Sequence, residues 1–188
     1  MQLILASSSP RRNELLQMLR IPFDIKTLET DETILPGMSG KEAVEDLAYR
    51  KAKAVADSNQ ECCVIGADTV VVLDGQILGK PLDREDAERT LSLLSGKKHS
   101  VYTGVAIIEG TRSLVFSEKT DVAFWELSKE EIETYLDSGE PFDKAGSYGI
   151  QGYGSLLVKE IAGDYYTVVG LPVSRLAREL KTFCSSME

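Results

Sequence analysis

Arg11 and Arg12 open a segment that reads as a helix, at the end where the macrodipole disfavours cations. Ser9 can serve as its N-cap, Pro10 fits the first helical position, and Leu15, Leu16 and Leu19 supply the apolar stripe. Two cations in that first turn are favourable only beside an anion. Free backbone N–H groups, the hydroxyls of Ser7-Ser8-Ser9 and two guanidinium forks make a donor set suited to phosphate. The competing reading is a pair of solvated arginines that happens to start a helix.

Two further charges interrupt apolar patterns. Val44, Ala48, Lys51 and Val55 fall on one line of a long helix, so Lys51 breaks its apolar face. Burying an ammonium without a partner is costly. Lys51 either snorkels along its stem or reaches an anionic site. Asp68 stands in Val64-Ile65-Gly66-Ala67-Asp68-Thr69-Val70-Val71-Val72, otherwise a strand buried on both faces. A carboxylate there must be ion-paired, metal-bound or hydrogen-bonded. It could hold a divalent cation or take a proton from water. Gly66 would admit another backbone nearby. Arg12 and Lys51 are expected to act on phosphate rather than on the fold, so that replacing either by alanine leaves stability largely intact.

Other familiar sites are excluded. Gly79-Lys80-Pro81 is not a Walker A sequence, because Gly75 is one residue too close and Pro81 replaces Ser/Thr. Gly146, Gly149, Gly152 and Gly154 do not form GxGxxG, which rejects a Rossmann site. Asp68-Thr69-Val70 lacks the second aspartate of a phosphoaspartate-type phosphatase. Glu29, Asp31 and Glu32 could add oxygen ligands, although an acidic loop is ordinarily solvated. His99 has no evident partner in the sequence and is assigned a structural or surface role.

The elements that must position these residues alternate between strand and helix period. Leu3 to Ala6 and Phe23 to Lys26 read as strands, and 29 to 38 as an acidic loop. Ser39 and Glu42 form a capping box for a helix from about 40 to 57. Cys62 to Leu73 is a strand, followed by an Asp74-Gly75 hairpin turn. Asp83 caps a helix that ends at Gly96. Val101, Thr103, Val105 and Ile107 alternate as a strand, and a second strand runs from about Leu114 to Leu127. Ser128 and Glu131 form another capping box, and Gly139 ends that helix. After a glycine-rich loop from Gly146 to Gly154, Leu156–Ile161 and Tyr165–Val169 read as a hairpin around Gly163-Asp164. Pro172 opens the last helix. Hairpins together with helical crossovers imply an α/β protein with a mixed sheet.

Composition bounds the partners. A chain of 188 residues reads as a single domain, 1–188, with enough apolar content for a normal core. The net charge of −9 argues against a nucleic-acid polymer as ligand but not against a nucleotide. Cys62, Cys63 and Cys184 give neither a disulfide framework nor a metal spacing, which points to reduced thiols in a cytoplasm. The N-terminal apolar stretch is too short for a signal peptide or membrane span.

In their order along the chain these segments resemble the Maf family of nucleoside triphosphate pyrophosphatases. The match includes Leu5-Ala6-Ser7-x-Ser9-Pro10-Arg11-Arg12, Lys51-Ala52, Gly66-Ala67-Asp68-Thr69 and Gly79-Lys80-Pro81. It continues through Leu94-Ser95-Gly96, Asp143-Lys144-Ala145-Gly146-x-Tyr148-Gly149-Ile150-Gln151-Gly152 and Val169-Gly170-Leu171-Pro172. The resemblance implies a fold like that of inosine triphosphate pyrophosphatases, a mixed sheet flanked by helices with a nucleotide cleft between two lobes. It implies Asp68, Lys51 and Lys80 as catalytic residues and Ser7, Arg11, Arg12, Thr69 and Gln151 as substrate contacts. Glu32 and Asp68 become the ligands of Mg²⁺ or Mn²⁺. Cleavage falls between the α- and β-phosphates. Arg11, Thr69 and Gln151 match the branch acting on dTTP and UTP rather than the one acting on 7-methyl-GTP. A homodimer is also implied. A reading of another class, a non-catalytic nucleotide-binding regulator of septum formation, would need the phosphate contacts but not a competent Asp68.

Overall fold

The computed structural model describes residues 2–185. Its strands are β1 (Gln2–Leu5), β2 (Phe23–Ile25), β3 (Cys62–Leu73), β4 (Gln76–Leu78), β5 (Lys98–Glu109), β6 (Arg112–Phe124) and β7 (Val158–Ala162). The helices are α1 (Pro10–Gln17), α2 (Gly40–Ala56), α3 (Arg84–Leu94), α4 (Lys129–Asp137), α5 (Tyr165–Val169) and α6 (Val173–Ser185). Three short 3-10 segments occupy the glycine-rich region between Glu140 and Leu157. Among the described residues, no helix is long and apolar enough to cross a membrane.

The strands form one mixed sheet of seven, in the order β2-β1-β3-β5-β6-β7, with β4 on the far end of β3. β1 runs parallel to β2 and β3, whereas β3, β5, β6 and β7 pair antiparallel in sequence. On one edge of β3, β1 pairs Cys62 to Ile65 and β4 pairs Val71 to Leu73. The chain leaves the sheet after β1, so β3 has a gap in its pairing on this edge between Ile65 and Val71. Asp68 and Thr69 lie in that gap.

Packing follows the period-2 alternation of β3. One face carries Ile65 and Ala67 into a cluster with Leu5, Leu16, Ile107, Leu171 and Leu176, placed between the sheet, α1 and α6. Ile65, Ile107, Leu171 and Leu176 are fully buried, each contributing about 1.5–3 kcal/mol. The other face carries Val64 against Ala48, Ala52 and Val55 of α2. A separate cluster joins α3 and α4 to Val71, Val101 and Val122 at the far end of the sheet.

Most elements lie where the sequence puts them. Both capping boxes form, at Ser39–Glu42 and Ser128–Glu131. Asp74 and Gly75 adopt φ values of 50° and 81° in the β3–β4 turn, the left-handed pair that an Asp-Gly hairpin needs. The last hairpin is different. Tyr165–Val169 is a helical turn, and Asp164 caps it by accepting from the Thr167 backbone N–H at 2.7 Å. Gly163-Asp164 serves either a hairpin or an N-cap, and aromatic and β-branched residues favour the strand locally. Tertiary contacts decide for the helix: the Thr120 hydroxyl donates to the Asp164 carbonyl at 2.8 Å, and Thr167 is completely buried.

Candidate active site

A cavity of about 870 Å³ opens at the gap in β3, and the nine residues that the family resemblance assigns to a site line it: Ser7, Arg11, Arg12, Glu32, Lys51, Asp68, Thr69, Lys80 and Gln151, whereas Glu29 and Asp31 do not. It sits where the apolar clusters meet. Ile150 and Val169 of one and Val71, Val101 and Tyr148 of the other all reach its wall. Five basic side chains, Arg11, Arg12, Lys51, Lys80 and Lys144, face five acidic ones, Glu14, Glu32, Asp68, Glu140 and Asp143. The cavity is thus charge-balanced in a chain whose net charge is −9.

Lys51 and Asp68 meet because two glycines let α2 lie directly on the sheet. A Cβ on Gly66 would come 2.4 Å from the Ala48 carbonyl oxygen, and one on Gly104 2.2 Å from that of Val44. Gly104 is the β5 partner of Asp68, so the close approach brackets the carboxylate. Lys51 Nζ then donates to Asp68 Oδ1 at 2.5 Å and pairs with Glu32 Oε1 at 2.8 Å. The Lys51 bond is the main reason the Glu32 carboxyl is held below its ordinary value, with Lys80 and Arg12 adding to it. Lys51 therefore ties two carboxylates together instead of standing free for phosphate. This alters the expectation for the fold: removing Lys51 would leave Asp68, only 9% exposed, without its partner.

Arg12 is held from behind. Its Nε donates to the Gly170 carbonyl at 2.9 Å and its Nη2 to the Thr69 hydroxyl at 3.1 Å. Burial lowers its pKa, and the charge of Asp68 opposes that shift. Thr103 lies directly across from Thr69, donates to the Thr167 carbonyl at 2.7 Å, and is 2.9 Å from the Thr69 hydroxyl. With the Thr103 proton committed to Thr167, Thr69 donates to Thr103 and presents a lone pair to Arg12. The helical turn α5 thus supplies both the Thr167 end of this chain and, just beyond it, Gly170. Arg12 is built into the fold as well as into the cavity, so its removal also takes a donor from the Gly170 carbonyl and from the half-buried Thr69 hydroxyl.

At the mouth, Arg11 pairs with Asp143 at 3.2 Å. Ser9 caps α1 by accepting from the Arg12 backbone N–H. The Gly146 N–H donates to the Gly79 carbonyl at 2.9 Å, which ties the glycine-rich loop bearing Gln151 to the loop bearing Lys80. His99 does have a partner. It is buried in β5, its Nε2 2.7 Å from the Tyr148 hydroxyl, with its ring edge-on to Phe124. Tyr148 in turn lines the cavity, so His99 supports the wall without entering it. Sequence reasoning passed over Thr103, Gly170 and the pairing role of Asp143. Only Thr103, a hydroxyl in an apolar strand, carried a local signal.

Known proteins match this chain almost throughout. A family model described as Maf-like protein covers residues 2–183. A protein of Bacillus cereus named dTTP/UTP pyrophosphatase is 56% identical over 182 residues, 97% of this chain and 95% of that one. A Bacillus anthracis protein of the same name has the same identity and coverage. Among solved structures, a HAM1 protein from Coxiella burnetii superposes with a TM-score of 0.55 at 13% identity, over 97% of this chain and 99% of that chain. The Staphylococcus aureus Ham1 protein gives 0.50 at 15% identity, over 67% and 73%. Such distant structures speak to the fold alone, and it is the mixed α/β fold expected from the sequence. The family model spans every residue that builds the cavity, and the chain belongs to the Maf-like protein family.

Proposed function

We propose that this chain hydrolyses dTTP and UTP to the nucleoside monophosphate and pyrophosphate. The observation that carries the reading is the Glu32–Lys51–Asp68 bridge beside Arg11, Arg12 and Lys80 in one cavity. The 56% identity to proteins named for this activity supports the choice of substrates. Arg12, Arg11 and Lys80 receive the triphosphate, with Ser7 and the N-terminus of α1 beneath it. Asp68 takes a proton from the attacking water as the bond from the α-phosphorus to the bridging oxygen breaks. Charge gathers on the departing pyrophosphate, where fixed cations stabilise it. Lys51 pairs with both Asp68 and Glu32 and so holds the two carboxylates side by side. Gln151 offers both a donor and an acceptor to a base edge, and Thr69, its proton spent on Thr103, offers an acceptor only.

The donor set also fits a divalent cation. Two carboxylates that converge on one ammonium can share a hard cation, and Mg²⁺ is ordinarily held by one or two carboxylates plus substrate phosphates. When bound, Mg²⁺ or Mn²⁺ through Glu32 and Asp68 would neutralise phosphate charge and polarise the scissile group.

We take residues 1–188 to act as one catalytic domain, in the cytoplasm, on free nucleotides. The family resemblance further implies a homodimer, and light scattering at assay concentration checks it. The decisive experiment is a nucleotide panel with Mg²⁺ and with Mn²⁺, products identified as monophosphate plus pyrophosphate. dTTP and UTP should be cleaved well and 7-methyl-GTP poorly. A higher kcat/KM for 7-methyl-GTP than for both pyrimidines would sink the base assignment. Tight nucleotide binding with no turnover under either metal would favour a regulator instead.

A further inference from the structure

Glu32 lies in a segment from 27 to 37 that belongs to no helix or strand, and its side chain is 55% exposed. A carboxylate on such a segment needs an anchor to stay in place. The anchor is Arg50, next to Lys51 on α2. While Lys51 points to the sheet, Arg50 turns to the loop. Its Nη1 donates to the Asp31 carbonyl at 2.6 Å and its Nη2 to the Thr33 carbonyl at 2.8 Å. The two carbonyls flank Glu32 on either side. Asp46, one turn earlier on α2, accepts from Arg50 Nη2 at 2.5 Å and orients the guanidinium. Inside the loop, the Thr33 N–H donates to Asp31 Oδ1 at 2.8 Å, closing a small turn with Glu32 at its apex.

We propose that Arg50 is a positioning residue that clamps the backbone on both sides of Glu32 and so holds this carboxylate against Lys51. The proposal rests on the reading of Glu32 as part of the reactive centre. Adjacent residues of one helix then do complementary work: Lys51 binds the two carboxylates, and Arg50 fixes the more exposed of the two. A planar guanidinium can span two carbonyls with two N–H groups. A lysine ammonium at the same place keeps the charge and the Asp46 pair but lacks the fork.

A double-mutant cycle with a structural readout tests this. Arg50→Ala, Arg50→Lys, Glu32→Gln and the double variant Arg50→Ala/Glu32→Gln are compared for kcat at saturating nucleotide and metal, and for amide exchange over residues 30–34. Displacing a reactive group by about 1 Å can cost on the order of 10²-fold, so Arg50→Ala should lower kcat roughly 10–100-fold, with a much smaller change in KM. Exchange at 30–34 should quicken while α2 and β3 stay protected. Arg50→Lys should move in the same direction, and it serves if the alanine variant fails to fold. The double variant should be no slower than Glu32→Gln, because the clamp has nothing left to position. Multiplying losses, or unchanged kcat and exchange in Arg50→Ala and Arg50→Lys, would overturn the clamp. Wild-type kcat in Glu32→Gln would instead overturn the role of Glu32, and the exchange measurement would still decide whether Arg50 orders the loop.

Discussion

At the residue scale the site turns on one ammonium between two carboxylates. Lys51 pairs with both Asp68 and Glu32 and holds the Glu32 carboxyl below its ordinary value, and Asp68 is the more enclosed of the two. Asp68→Asn preserves shape but removes the group we propose as base, and kcat should fall about 10²–10⁴-fold. Near-normal turnover by the folded variant would end that role. Lys51→Ala removes the partner of a buried carboxylate and should cost about 1–3 kcal/mol of stability as well as activity. Chemical denaturation checks it, and an unchanged midpoint would show that Asp68 is adequately solvated through the cavity. Thr103→Val breaks the chain that orients Thr69 and leaves the Thr167 carbonyl without its donor. It should cost about 1 kcal/mol and shift KM for the pyrimidine triphosphates more than kcat, with Thr103→Ser restoring both.

At the element scale the decisive contact is between α2 and the middle of β3 and β5. Ala48, Ala52, Gly66 and Gly104 together bring backbone against backbone, and only at that distance can Lys51 cross to Asp68. A methyl group on Gly66 would meet the carbonyl of Ala48 and the N–H of Ala52, both backbone and unable to rotate away. Gly66→Ala should therefore destabilise the protein by about 1–3 kcal/mol or more, a fall in melting temperature of roughly 3–10 °C for a chain of this size. It should also depress activity below that temperature, because the helix that carries Lys51 is pushed off the sheet. A variant with unchanged melting and unchanged kcat would show that the interface is looser than its geometry implies.

At the scale of the whole molecule, acid stability reports on His99. Burial pushes its pKa down from 6.5 to about 4, against a small upward pull from Asp121. The folded protein holds the ring neutral, and the unfolded chain protonates it near 6.5. Stability is therefore undiminished by this group above pH 6.5, declines as pH falls from there toward 4, and levels off below. The full loss is about 3 kcal/mol, since each pKa unit corresponds to about 1.4 kcal/mol. Depressed carboxylates such as Glu32 lose their contributions at lower pH, so the comparison must be between wild type and His99→Gln. Between pH 6.5 and 4.5 the wild type should lose stability more steeply than the variant. Parallel curves would mean that the ring takes up its proton as readily in the folded protein as in the unfolded chain.

The chain by itself determined most of the elements and singled out charged groups that the fold gathers in one cavity. Ser9, Ser39, Asp83 and Ser128 cap the helices they announce, and Cys62–Leu73 is the strand its composition describes. These features are local: a cap or a period is set by residues within a turn or two of each other. Arg12, Lys51 and Asp68 were legible for a related reason, since each violates the local pattern that surrounds it. Partnership was not legible, because it joins residues far apart in the chain. Lys51 to Asp68 and Thr69 to Thr103 are made by the sheet, which brings distant strands into register and sets α2 on its glycines, and Arg12 to Gly170 by the packing of α1 against α5. Tyr165–Val169 marks the boundary between the two regimes. Its side chains favour a strand, but the bonds that the Asp164 and Thr167 carbonyls accept from Thr120 and Thr103 exist only in the folded protein, and together they decide for the helix.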